Sequence, residues 1–200
     1  NAKDTGWLGY NRLFESNIRM TRMEESTMEI KKNDIANGEG VRTSLFVSGC
    51  RHHCKNCFNQ QTWDFSFGKP FTEETMEEIF DSCAPDWING LSLLGGEPFE
   101  PENQKVLLPF LIMFKERFPN KTLWCYTGFT LEEIMGKRAN SRAFTPISSE
   151  MLSLIDVLVD GPYIEDKKDI SLVFRGSSNQ RIIDVKKSFK NKQLELYLDD

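Results

Sequence analysis

Gly49-Cys50-Arg51-His52-His53-Cys54-Lys55-Asn56-Cys57-Phe58 gathers three of the chain's five cysteines into a C-x3-C-x2-C run. It follows directly on Arg42–Ser48 (RTSLFVS), a β-rich stretch short enough for a buried strand. Thiolates are soft ligands, and a short loop carrying three of them can wrap one metal centre. A structural zinc site closes with four protein ligands, whereas three leave a position open. The spacing therefore suits a 4Fe–4S cluster held by Cys50, Cys54 and Cys57, with one iron free to bind something else. A Cys3His zinc site stays formally open, because both histidines of the chain, His52 and His53, lie between the cysteines. Against it, a ligand adjacent to Cys54 needs awkward backbone geometry, and no second C-x2-C completes a zinc ribbon.

Working outward, the strand–loop–helix order repeats. Thr72 is placed to cap a helix whose apolar face is Met76, Ile79 and Phe80. Leu91–Leu94 reads as a strand ending at Gly95-Gly96-Glu97-Pro98, followed by a helix over 104–118 with Leu107, Leu108, Leu111, Ile112 and Phe114 inward. Lys121–Tyr126 is a third strand, Leu131–Met135 a short helix, and Ser149 caps another helix through Leu154. Asp156–Val159 is a fourth strand, ending at Asp160-Gly161-Pro162-Tyr163, and Leu194–Leu198 a candidate last one. The order predicts an α/β fold with a parallel sheet and helices outside. The polar and glycine-rich stretches all follow strands, on the face where such folds build their sites. Residues 29–200 are read as one domain. Residues 1–28 are an N-terminal extension without periodicity that need not be native, since Met20, Met23 and Met28 each offer a start.

Composition sets limits. Two hundred residues suffice for a real core, and 39% hydrophobic with 28% charged residues is a globular balance. A net charge of −5 disfavours a general nucleic-acid binder, which needs a basic excess. No apolar run reaches the roughly 20 residues of a membrane span; the longest, Val106–Phe114, contains Pro109. No signal peptide is evident, and clustered cysteines in odd number argue against a disulfide framework. A reducing, cytoplasmic location is expected.

Other stretches divide between chemistry and architecture. Gly95 and Gly96 would let a ligand approach the backbone, and Glu97 could pair with an ammonium; the bland reading is an ordinary turn. Asn37-Gly38-Glu39-Gly40 with Arg42 is a turn or part of a site rim. Phe58 could pack on a flat ring, and Asn56 flanks Cys57 on the other side. Thr127-Gly128 could bind a ligand or cap a helix, and Asp160 could serve the site or its own turn. Arg175–Arg181 is more polar than a scaffold turn requires and could dock a partner. Cys83 and Cys125 read as buried, inert thiols.

C-x3-C-x2-C with an aromatic after it and a downstream GGEP resembles the radical S-adenosylmethionine superfamily. NGEGVR, SGC, LLGGEPF, TGFT, LVDGPY and FRGSSNQR, in this order over residues 29–190, resemble more narrowly the activating proteins of anaerobic (class III) ribonucleoside-triphosphate reductases. The resemblance implies a partial, open (β/α) barrel. It implies a 4Fe–4S cluster on Cys50, Cys54 and Cys57, and S-adenosyl-L-methionine chelated to the open iron. Gly95, Gly96 and Glu97 would then hold the amine end, Asn56, Cys57 and Phe58 would line the adenine side, and Thr127 would complete the cofactor site. It also implies an external one-electron reductant, reductive cleavage of the sulfonium, and hydrogen abstraction from a glycine Cα on the large reductase subunit. No catalytic side chain, nucleic acid or membrane is called for. Alternatives are an activase of the pyruvate formate-lyase type, a radical enzyme on a small molecule, and a zinc-stabilised interaction module. FRGSSNQR favours the reductase, and the absence of a cysteine-rich insert after Cys57 marks the short type.

Overall fold

Alternation along RTSLFVS sends Thr43, Leu45 and Val47 to one side and Arg42 and Ser44 to the other, the period-two signature of a strand. The computed structural model describes residues 27–198. Its strands are β1 (Thr27–Asp34), β2 (Val41–Val47), β3 (Lys69–Pro70), β4 (Ile88–Gly95), β5 (Thr122–Tyr126), β6 (Val157–Asp160) and β7 (Arg181–Asp184). The helices are α1 (Glu73–Cys83), α2 (Pro101–Arg117), α3 (Leu131–Ile134), α4 (Ser148–Leu154) and α5 (Val185–Asn191).

One seven-stranded sheet runs in the order β3-β1-β2-β4-β5-β6-β7. Pairing is parallel across β2, β4, β5 and β6. It is antiparallel at both flanks, where β1 joins β2 and β3, and β7 joins β6. The expectation of a parallel sheet is thereby corrected to a mixed one. The parallel centre follows from helical crossovers, while β1 reaches β2 through the tight turn around Gly38 and Gly40, which only an antiparallel pair permits.

Leu45, Val47, Leu91, Leu93, Leu123, Cys125 and Leu158 form one sheet face and pack against Met76, Ile79, Phe80, Leu107, Leu111, Phe114 and Met151 of the helices. The helical face foreseen for α1 is buried as read, and Thr72 caps it by accepting from Thr75 N. Helix α2 runs through Pro109 without ending. Ser149 does not cap α4; the helix begins at Ser148, whose hydroxyl donates to the Ile134 and Thr145 carbonyls. Leu194–Leu198 forms only an isolated bridge, Leu196 to Ile183, rather than a strand.

The opposite sheet face is partly polar. Arg42, Ser44 and Ser92 are buried there beside Trp124, Val157, Val159 and Ile182, with Phe174 and Tyr197 packed over them. Among the described residues no helix is long and apolar enough to cross a membrane.

Candidate functional site

Four strand ends meet at the carboxyl end of the parallel strands, and backbone hydrogen bonds join them. Gly96 N donates to the Val47 carbonyl at 2.6 Å, Glu97 N to Gly49 O at 2.9 Å, and Thr127 N to Val159 O at 2.9 Å. Gly161 N reaches the Phe129 carbonyl at 2.9 Å. The cysteine loop, the GGEP turn, the TGFT turn and the DGPY turn, all read as post-strand stretches, are thus one assembly.

The cysteine loop is anchored where it begins. Gly49 N donates to Thr62 O at 2.8 Å and Cys50 N to Trp63 O at 3.2 Å. Asn103 Nδ2, from α2, donates to the carbonyls of Ser48 at 2.9 Å and Glu97 at 2.8 Å. Left-handed residues His53 and Asn56 then wind the chain tightly around the last two cysteines. Cys50 is buried, and Cys54 and Cys57 are half-buried. Burial pushes the Cys50 thiol up to about 12, and it raises Cys54 as well, with Cys57 adding to that rise.

Three thiols on one short loop with no other soft donor fit an iron–sulfur cluster. Among the described residues, no three His, Cys, Asp or Glu side chains close around one ion-sized point.

The GGEP glycines face the protein itself. A Cβ on Gly95 would lie 2.6 Å from Val47 N, and one on Gly96 would lie 2.7 Å from Gly49 O and 2.9 Å from Thr62 O. The bare backbone is required because β2 lies against Gly95 and the start of the cysteine loop lies against Gly96. Glu97 is fully buried. Its Oε1 accepts from Thr127 Oγ1 and Phe99 N, both at 2.8 Å, and its Oε2 from Gly128 N at 2.8 Å and His52 Nε2 at 2.9 Å. Burial works against a charge on His52, but the Glu97 carboxylate outweighs it and raises the imidazole pKa.

Phe58 is 88% exposed beside Cys57, its ring free to stack. Asn56 is exposed. Thr127 is buried and already engaged. Asp160 serves its own surroundings, accepting from Leu131 N at 2.7 Å and from Arg181 Nε at 2.9 Å. The NGEG turn with Arg42 lies at the opposite end of the strands and is not part of this site. Cys83 and Cys125 are fully buried, and burial raises both thiols. The Arg175–Arg181 segment is internally tied, with Gln180 Oε1 accepting from Gly176 N at 2.9 Å and Ser177 N at 3.2 Å.

Sequence reasoning passed over Arg51, Glu100, Asn103 and Arg142. Glu100 is fully buried and accepts from Arg51 N at 3.0 Å, Arg51 Nη1 at 2.7 Å and Arg142 Nη2 at 3.1 Å. A signal existed: the first spacer of the cysteine run is basic (Arg51, His52, His53), and the GGEPFEPE run that meets it is acidic.

The family model described as a 4Fe-4S single cluster domain matches residues 36–183. An anaerobic ribonucleoside-triphosphate reductase-activating protein of Pasteurella multocida is 46% identical over 151 residues, 74% of this chain and 90% of that protein. The protein of the same name from Escherichia coli (strain K12) is 39% identical over 149 residues, 74% and 90% of the two chains. That from Enterobacteria phage T4 is 37% identical over 149 residues, 74% and 87% of the two chains.

Proposed function

The chain belongs to the family of anaerobic ribonucleoside-triphosphate reductase-activating proteins, and from that membership we propose that it activates such a reductase by radical S-adenosylmethionine chemistry. One observation carries the reading. The C-x3-C-x2-C loop is seated at the carboxyl end of the parallel strands of the mixed sheet, bonded through Gly49 to the backbone of the GGEP turn.

Cys50, Cys54 and Cys57 would hold a 4Fe–4S cluster with one iron left to bind the amine and carboxylate of S-adenosyl-L-methionine. When bound, such a cluster would pass one electron from an external reductant to S-adenosylmethionine, giving methionine and a 5′-deoxyadenosyl radical that would take a hydrogen atom from a glycine of the large reductase subunit. The protein's own work is to bind, orient and exclude water. Gly95, Gly96 and Glu97 would meet the amine end through backbone groups. Asn56, Cys57 and the exposed Phe58 ring take the adenine side, with Thr127 behind Glu97. Phe99 and Phe129, both buried and adjoining Glu97 and His52, keep the floor dry. The strand order fits a sheet curved into a partial, open barrel, whose open side would admit a glycine loop. The enzyme is a cytoplasmic oxidoreductase on this reading.

Anaerobic purification, iron–sulfide reconstitution and electron paramagnetic resonance of the reduced protein test the proposal. The expected result is a brown protein whose reduced-cluster signal changes with S-adenosylmethionine and which, given the reductase and a reductant, yields a glycyl radical signal. A colourless protein that binds zinc stoichiometrically and cleaves no S-adenosylmethionine would overturn it.

A further inference from the structure

A carboxylate has about four lone-pair directions to offer, and on Glu97 all four are taken. Three donors, Phe99 N, Thr127 Oγ1 and Gly128 N, belong to the GGEP and TGFT turns. The fourth, His52 Nε2, comes from the cysteine loop, between Cys50 and Cys54. The imidazole has a built seat. Its edge meets the Phe129 ring at a centroid distance of 4.4 Å, and it covers Gly128 so closely that a Cβ there would lie 2.8 Å from Cδ2 and Nε2. The preceding residue makes a second tie, Arg51 to Glu100 at 2.7 Å, backed by Arg51 lying 4.3 Å over the Phe65 ring.

We propose that Glu97 is a positioning residue rather than a ligand to the S-adenosylmethionine amine, and that the His52–Glu97 contact is the clasp setting the first cysteine spacer on the strand ends. The first two spacer residues plug into two buried carboxylates of the GGEPFE run, and His53, left-handed and edge-on to Trp63 at 4.5 Å, turns the chain toward Cys54. Cys50 and Cys54 thereby receive their relative placement before any cluster is present. The ammonium of the ligand must then be met by backbone groups, because the carboxylate has no acceptor position left. The role assigned to the clasp rests on the cluster reading above; the clasp itself does not.

Hydrogen–deuterium exchange of the metal-free full chain reads the clasp without a cofactor. His52→Leu keeps the bulk and removes the donor, His52→Gln restores a donor at similar reach, and Gly128→Ala keeps every donor but pushes the ring off its seat. Losing one hydrogen bond to a charged partner should speed exchange in the 49–58 segment about tenfold in His52→Leu and Gly128→Ala. His52→Gln should stay near the wild type, and exchange in β4 and β5 should not move. If His52→Leu loses its fold, Gly128→Ala supplies the same readout. On reconstituted protein the two disruptive variants should release iron to a chelator about tenfold faster, with His52→Gln rescued. Unchanged exchange at 49–58 in both disruptive variants would overturn the clasp. Glu97→Gln that leaves loop exchange unchanged yet weakens S-adenosylmethionine binding more than about tenfold would return Glu97 to the ligand. A wild type that takes up no cluster would fail the cluster reading alone, since the exchange result stands apart from it.

Discussion

Arg42 offers a test in which the size of the effect follows from counting donors. The side chain is fully buried, and all five of its N–H groups find acceptors. Nε donates to Ser92 Oγ at 2.8 Å, Nη1 to Glu39 O at 3.1 Å and Thr122 Oγ1 at 2.9 Å, and Nη2 to Leu91 O at 2.9 Å and Thr122 O at 2.8 Å. None of these partners is a carboxylate, so the guanidinium is held by dipoles and by the Trp124 face at 5.6 Å. Burial draws its pKa down to about 10, which marks the cost of carrying the charge inside. Arg42→Lys keeps the charge and therefore most of that cost, but an ammonium has three donors. At least two bonds to a charged group are lost, at about 1.5 kcal/mol each, giving about 3 kcal/mol of destabilisation. For a domain of this size that lowers Tm by about 6–12 °C. Urea unfolding of the metal-free protein followed by circular dichroism measures it, with Arg42→Met as the companion that removes charge and donors together. Arg42→Lys within about 1 kcal/mol of wild type would refute the reasoning, since the planar fork would then carry nothing. Arg42→Met more stable than wild type would show that desolvation outweighs all five bonds.

Gly96→Ala should force the cysteine loop away from β4, because the new methyl would stand 2.7 Å from the Gly49 carbonyl; a loss of about 1–3 kcal/mol and poorer iron retention are expected, and a variant that loads and melts like wild type would count against the packing account. Asp34, fully buried, is held at about 2: burial alone would raise it, but bonds from Ser44, Ala36 N, Asn37 and Lys31 win. A depressed carboxylate stabilises the fold above its unfolded value near 4 and loses that contribution as pH falls through about 2. Asp34→Asn should thus flatten the acid limb of the stability profile by about 2 kcal/mol, and an unchanged profile between pH 5 and 2 would refute the assignment. Cys57→Ala should abolish the iron–sulfur absorption after reconstitution while far-ultraviolet circular dichroism stays unchanged; loss of the fold instead would point to a structural zinc.

Much of the site was legible in the chain. The C-x3-C-x2-C run carries its ligand chemistry in its spacing, and placing it after a strand was enough to bring GGEP, TGFT and DGPY to the same edge. What spacing could not show is which way those residues act. Gly95 and Gly96 read as room for a ligand, yet the space they leave is filled by Val47, Gly49 and Thr62. Glu97 read as a free carboxylate, and it is saturated by partners up to 45 residues away in sequence. Arg42 read as a possible rim residue because its turn is glycine-rich, but it lies a strand's length from the cysteines. The antiparallel flank at β7 escaped notice because it is a four-residue strand whose pattern is too short to stand out from a loop.

The sequence by itself determined the clustering of three soft donors on one loop, the α/β alternation and the edge of the sheet at which that loop stands. These depend on local quantities: residue type, spacing along one loop, and periodicity within one element. Only the tertiary structure decided how the buried charges are partnered, because an acceptor's satisfaction depends on donors that arrive from distant segments. Glu97 receives His52, Thr127 and Gly128, and Glu100 receives Arg51 and Arg142. Hydrogen-bond directions are short-ranged and three-dimensional, so no one-dimensional pattern encodes them until the strand ends have met.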